Sequence, residues 1–317
     1  MLALLTGLWA GLARLGWDVP LPRPGFSSLH GPLMVSGFLG TLISLERAVA
    51  LGRPWAYATP LLTGLGGVSL IVGAPLLAAQ WLMLAGSLGL VAIFAAIIRR
   101  HPALYTFTMG GGSLVWALGN LLWCLGWPVF LVVFWWAAFL VVTIAGERLE
   151  LARLQQVTGA AQATLLLLLG ILLTGLLLLG WSFDGGVRLF GLGLAGLALW
   201  LGRHDIARRT VKQAGLTRFI AICLLTGYVW LGISGLSAMW FGGVPVGPQY
   251  DATLHAFFLG FVFAMIFAHA PIIFPAVLGA RMAYRPLFYA HVVLLQVTLV
   301  VRLIGDAAGW SAGRQVG

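Results

Sequence analysis

Six histidines are the residues of this chain best suited to chemistry: His30, His101, His204, His255, His269 and His291. Imidazole ligates transition metals and changes protonation near neutral pH, so each is a candidate ligand or proton carrier. Their surroundings separate them. His101 follows Arg99 and Arg100, and His204 follows Arg203, so both read as solvated residues of basic connections. His30, His255, His269 and His291 fall inside long apolar stretches. A polar side chain there is costly unless it faces the protein interior, which makes these four the site candidates. Cys124 and Cys223 are far apart and form no disulfide framework, zinc knuckle or Cys-x-x-Cys-His attachment motif. Any cofactor is therefore expected to be held noncovalently.

The elements that must position the histidines follow from composition. Of 317 residues, 61% are hydrophobic and 8% charged, and mean hydropathy is +1.02. Soluble domains average about 25% charged residues, so soluble enzymes are excluded. The net charge of +10 (18 Lys and Arg against 8 Asp and Glu) can signal nucleic-acid binding. Here the cations sit in short connections between apolar runs. They mark membrane orientation, and the partner is a lipid bilayer rather than nucleic acid. A span needs about 20 apolar residues. Eleven segments qualify: 1–16, 28–51, 57–76, 79–98, 103–122, 126–147, 159–181, 187–202, 216–241, 251–279 and 286–305. Met1–Gly16 has neither a basic start nor a cleavage site and reads as a shortened span. The expectation is an all-α, polytopic transmembrane helix bundle of about 11–12 helices, a single integral membrane domain over 1–317. Asp306–Gly317 reads as a polar tail.

Orientation follows from the connections. Thirteen basic residues follow even-numbered spans: Arg47, Arg53, Arg99, Arg100, Arg148, Arg153, Arg203, Arg208, Arg209, Lys212, Arg218, Arg281 and Arg285. Five lie on the other side: Arg14, Arg23, Arg188, Arg302 and Arg314. This places the N-terminus in the cytoplasm, most naturally of a bacterial inner membrane. A short repeat accompanies the alternation. The second span ends Ile43-Ser44-Leu45-Glu46-Arg47 and the sixth Ile144-Ala145-Gly146-Glu147-Arg148, as duplicated four-helix units would. A Glu-Arg pair at a helix end is equally a plain interfacial ion pair.

With that orientation His30 and His255 both lie near the outer ends of inward-running spans, at similar depth. Two facing imidazoles make a six-coordinate heme site. His269 lies fourteen residues past His255, about 21 Å further in and nearly on the same face. His291 enters the next span from inside, so the two form a candidate second metal or heme site. A hydrogen-bonded structural pair is the simpler alternative.

His30-Gly31-Pro32-Leu33-Met34-Val35 resembles the His-Gly-x-x-Met motif on the second helix of heme-copper oxidase subunit I. His255 with Gly260, Phe263-Ala264, Phe274-Pro275 and Gly279 resembles that family's tenth helix. The resemblance implies that His30 and His255 are axial ligands of a low-spin heme b, and it suggests a final helix beyond the eleventh. The smaller NnrS-type proteins of nitric-oxide metabolism are similar in scale and in their motif-bearing helices. The departures limit what can be carried over. Thr253 stands where the oxidases have a high-spin heme ligand, and no histidine occurs between His101 and His204, where they hold copper. Leu131, sixteen before Glu147, stands where the repeat would echo His30. Glu46, Glu147 and Glu150 sit at inner ends rather than mid-membrane, so proton channels are poorly supported.

Other residues have two readings each. Arg302 either pairs with heme propionates or snorkels to the interface. Asp251, one turn before His255, either accepts from that imidazole or caps the helix. Gly110-Gly111-Gly112 permits close helix packing, and most of the fourteen Trp form an interfacial belt.

The leading expectation is a b-type heme protein for electron transfer, redox sensing or nitric-oxide-linked chemistry, with a quinol or cytochrome as electron donor and catalytic turnover left open. One rival is a transporter or channel with pore-lining histidines, for which Pro271 and Pro275 would break the tenth span. Another is a cofactor-free membrane assembly subunit. The orientation is checked by labelling single cysteines at Arg99–His101 or Arg203–Arg218 in intact cells, with Cys124 and Cys223 removed. An impermeant reagent should leave both connections unlabelled; labelling would invert the topology.

Overall fold

Apolar runs without charge leave the backbone no solvent partner inside a bilayer, so it must bond to itself, and helix is the result. The computed structural model describes residues 1–152, 157–279 and 283–317, and among these there is no strand. Arg153 and Arg281, counted above among the basic connections, lie outside the described residues. Apolar helices follow all eleven expected segments. They are α1 Leu2–Arg14, α2 Phe26–Leu51, α3 Pro54–Val72 and α4 Leu76–Arg100, then α5 Leu104–Cys124. After these come α6 Val129–Ala152, α7 Gly159–Leu178, α8 Phe183–His204, α9 Gly215–Phe241, α10 Pro248–Pro275 and α11 Phe288–Ala308. Helical backbone continues from α10 to Leu278.

Among the described residues nine helices, α2–α4 and α6–α11, are long and apolar enough to cross a membrane. The protein is a multi-pass membrane protein. At 13 residues, α1 is shorter than the roughly 30 Å hydrocarbon layer. In α5 the buried Thr106, Thr108, Ser113 and Asn120 dilute the apolar run.

Ends are set by local chemistry. Gly52 (φ 63°) and Gly73 (φ 82°) close α2 and α3 in the left-handed region that other residues avoid. Thr158 and Ser182 accept from Ala161 N and Gly185 N at the starts of α7 and α8. The expected polar tail is instead ordered. Asp306 is buried within α11, and a short helix, α12 Ser311–Val316, brings Arg314 Nε to 2.6 Å from its carboxylate.

The chain divides into two compact units, Met1–Gly146 and Glu147–Gly317. In the first, Asn120 is the centre of a buried polar network. Its Oδ1 accepts from Ser36 Oγ at 3.1 Å and Trp136 Nε1 at 3.0 Å, and its Nδ2 donates to Met83 O at 3.3 Å. Of the three consecutive glycines Gly112 is the tightest, since a Cβ there would lie 2.7 Å from Thr143 Oγ1. In the second unit, α7, α8 and α9 cross through small residues. A Cβ on Gly175 would lie 2.5 Å from Phe190 N, and one on Gly235 2.5 Å from Ala195 N. Such contacts let backbones approach where the bilayer offers no hydrophobic drive between helices.

The Glu-Arg repeat serves two different ends. Glu46 and Arg47 pair with each other at 3.2 Å, as the interfacial reading expects. Arg148 is only 4% exposed and turns to Asp205, with Nε 3.6 Å from Oδ2.

The helix crossings give a paired test. Gly235→Ala should lower stability by about 1–3 kcal/mol through overpacking, measured as thermal unfolding in detergent. Gly170→Ala, with nothing within 4 Å of its Cβ, should be neutral or slightly stabilising.

Candidate functional site

Among the described residues two helices contain π segments, each beside a candidate histidine. In α2 a 3-10 turn, Phe26–Leu29, leads into His30–Pro32, and residues Leu33–Gly40 then adopt π geometry. In α10 regular helix from Pro248 ends at His255, and Ala256–Val262 is π-helical. A π turn bonds i to i+5 and is frequent at functional sites. Each segment holds a glycine pressed on an indole. A Cβ on Gly40 would collide with the ring of Trp116, and one on Gly260 with Trp230. Trp116 Nε1 donates to Ser36 Oγ at 3.2 Å, and Trp230 Nε1 donates to Gln296 Oε1 on α11. Helical periodicity cannot reveal one extra residue per turn; the sequence signals were Pro32, which has no N–H, and the isolated Gly260.

His30, in the first unit, is half-buried against α1. Its Nδ1 donates to Gly7 O at 2.8 Å. A Cβ on Gly11 would lie 2.8 Å from that nitrogen, and one on Gly7 would meet Met34 Sδ at 2.8 Å. Gly7 and Gly11, four apart on one helix face, form the bed for His30 and Met34. Sequence reasoning missed them, although Gly-x-x-x-Gly spacing was there to read.

His255, in the second unit, adjoins the Asp251–Arg302 ion pair. Its Nδ1 lies 2.9 Å from Asp251 O, the bond it donates to, and 3.2 Å from Asp251 Oδ1. Arg302 Nε donates to Asp251 Oδ2 at 2.9 Å and its Nη2 to Oδ1 at 3.1 Å, a bidentate fork. Nη2 also stands 3.5 Å from His255 Nε2. Arg302 is 6% exposed rather than snorkelling, and the fork expected to meet propionates is engaged by Asp251. The N-cap of α10 is Gly247, without a side-chain cap bond, so Asp251 takes the imidazole-side role. Thr253 Oγ1 donates to Gln249 O at 2.8 Å.

The inner histidines are placed differently from one another. His269 Nδ1 donates to Met265 O at 2.7 Å. His291 is exposed and meets the Phe267 ring edge-on at 4.5 Å, with Phe219 and Phe288 nearby. Phe267 and His269 are two residues apart, about 200° around a helix, so the face that meets His291 is opposite the one carrying His269. Among the described residues no group of three or more His, Cys, Asp or Glu is gathered as for a metal ion. His101 is exposed at the end of α4, and His204 donates to Trp200 O at 2.9 Å. Cys124 and Cys223 are free thiols.

Residues 1–317 match the family model described as Domain of unknown function (DUF8744), and the chain belongs to that family. No curated protein and no solved structure matches it.

The Asp251–Arg302 pair is testable by a double-mutant cycle. Asp251→Ala strands a buried guanidinium and should cost about 3 kcal/mol, read as loss of thermal stability. Asp251→Ala with Arg302→Met should recover much of that loss, because the uncompensated charge is gone.

Proposed function

We propose that this chain is a membrane-embedded b-type heme protein for electron transfer, with His30 and His255 as the axial ligands. One observation carries the reading. Each ring donates Nδ1–H to a main-chain carbonyl, Gly7 or Asp251, which makes Nε2 the acceptor nitrogen, the form that ligates iron. The donor set suits heme b: two imidazoles just before π segments, and no cysteine motif for covalent attachment. Heme held by His30 and His255 would supply a one-electron couple there. The residues of this chain do the rest. The Gly7 and Asp251 carbonyls orient the two rings, the Asp251 carboxylate lies beside His255 Nδ1, and Arg302 balances that carboxylate. The 3.5 Å from Arg302 Nη2 to His255 Nε2 exceeds an ordinary hydrogen-bond length, and the arginine's strong bonds go to Asp251. Kinship with heme-copper oxidase subunit I or the NnrS type, a duplicated four-helix plan and nitric-oxide-linked chemistry belong to the same proposal. So do a cytoplasmic N-terminus and a bacterial inner membrane, and a second cofactor at His269 and His291 is its outermost extension.

A transporter or channel is the second reading, favoured by the paired irregular helices α2 and α10, one in each unit. Its irregularity lies at the π segments, since helical backbone runs through Pro271 and Pro275 to Leu278. The absorption spectrum of protein purified from heme-replete cells decides between them. The heme reading expects a Soret band and sharp low-spin bands; His30→Ala and His255→Ala should each abolish low-spin character while His101→Ala leaves it intact. A spectrum without a Soret band, or one unchanged in both intramembrane variants, overturns it. Metal analysis should return iron without stoichiometric copper.

A further inference from the structure

The end of α8, the connection that follows and the first turn of α9 gather Arg203, Arg208, Arg209, Lys212 and Arg218, five exposed cations within sixteen residues. The one acidic residue in that stretch, Asp205, is 4% exposed and turned inward. Its Oδ2 accepts from Tyr228 OH at 2.6 Å, with Arg148 Nε at 3.6 Å, and its Oδ1 accepts from Ala207 N at 2.7 Å. The carboxylate therefore neutralises nothing on the surface and anchors the backbone beneath it. The path above is ordered: a helical turn, Ala207–Thr210, continues through Lys212 N donating to Arg209 O at 3.2 Å, and Arg208 Nη1 donates to Arg203 O at 3.1 Å. The result is a ledge of one sign of charge, held in place directly beyond the ends of two membrane-crossing helices.

Like charges fixed side by side repel, and a surface of this kind concentrates counter-anions. At a bilayer edge the anions held at the right height are phospholipid headgroups, and four to eight cations beside a transmembrane helix suffice to bind them. We propose that the α8–α9 ledge is a binding site for anionic phospholipid headgroups. Orientation alone asks only for positive charge on one side of the membrane. It does not ask for a buried carboxylate, tyrosine and arginine to hold the cations in a fixed array, and Arg99–Arg100 shows how few cations a connection in this chain can carry.

The test uses the full chain in detergent, titrated with mixed micelles of phosphatidylglycerol or of phosphatidylcholine, with retention read by native mass spectrometry and by the shift in unfolding temperature. Phosphatidylglycerol should bind and stabilise, phosphatidylcholine should not, and about 1 M salt should abolish the difference. Arg209→Gln and Lys212→Gln should each weaken retention about five-fold. The quadruple variant R203Q/R208Q/R209Q/K212Q should weaken it by more than about a hundred-fold, and R99Q/R100Q should change it little. Equal loss in R99Q/R100Q overturns the site in favour of general electrostatics. Equal stabilisation by inorganic phosphate at matched concentration overturns the lipid assignment. Undiminished retention in the two single variants, which leave every bond of Asp205 in place, overturns the proposal even if the quadruple variant fails to fold.

Discussion

A guanidinium buried among apolar helices has to meet a carboxylate, and Arg302 meets Asp251. Each ion alone would carry a desolvation penalty of several kcal/mol, which the pair offsets only with good geometry. The fork supplies that geometry, at 2.9 and 3.1 Å. Because Asp251 stands in the first turns of α10 and Arg302 near the far end of α11, the pair sets where α10 begins relative to α11. It also fixes His255, whose Nδ1 bonds to the same aspartate's carbonyl. Register of α10 against α11 and the orientation of the His255 imidazole thus rest on one ion pair. Asp306 with Arg314 brings α12 back against the same end of α11.

The π segments do with backbone what the ion pair does with charge. An extra residue in a turn shifts every later side chain by about 100° relative to a regular helix, at the cost of poorer hydrogen bonds. The cost is tolerable where another group occupies the widened turn. Trp116 at Gly40 and Trp230 at Gly260 are such groups, and both indole N–H donors are satisfied by side chains. The same local solution thus recurs in each unit beside its candidate histidine. The Glu-Arg similarity that suggested a repeat does not behave this way, since Arg47 pairs with its neighbour and Arg148 with Asp205.

Helix positions were legible because a span is a long, one-dimensional signal. Twenty apolar residues between charged or glycine-proline breaks leave little choice, and α4, α9 and α11 begin and end within three residues of their expected limits. What composition cannot carry is which way a polar residue faces. Arg148 and Arg302 counted as orientation charges, yet both are buried against aspartates. Pro271 and Pro275 looked like breaks, yet helical backbone passes through them because preceding turns can re-satisfy the carbonyls they free. Helical spacing alone also says nothing of Phe267 lying against His291. Four histidines were visible as candidates, but the ring orientations of His30, His255 and His269 depend on the Gly7, Asp251 and Met265 carbonyls, which any residue could supply.

The second unit contains the same device twice, and the difference between the copies bears on function. In both, a buried arginine meets a buried or half-buried aspartate, and a ring-bearing third residue completes the set. Around Asp205 the third residue is Tyr228, whose hydroxyl donates at 2.6 Å to the carboxylate itself, and the backbone N–H of Ala207 takes the other oxygen. Tyr228 and the Ala207 N–H both donate to the one carboxylate, with Arg148 paired to it by charge at 3.6 Å, so the cluster is a structural anchor. Around Asp251 the third residue is His255, which donates through Nδ1 and, unlike a tyrosine hydroxyl serving as donor, carries a second ring nitrogen with an acceptor lone pair. An imidazole in that position is not needed to neutralise Arg302, which the aspartate already does. Its acceptor nitrogen is therefore the chemically distinctive group of the cluster, and it is the reason the histidine rather than the ion pair carries the functional reading.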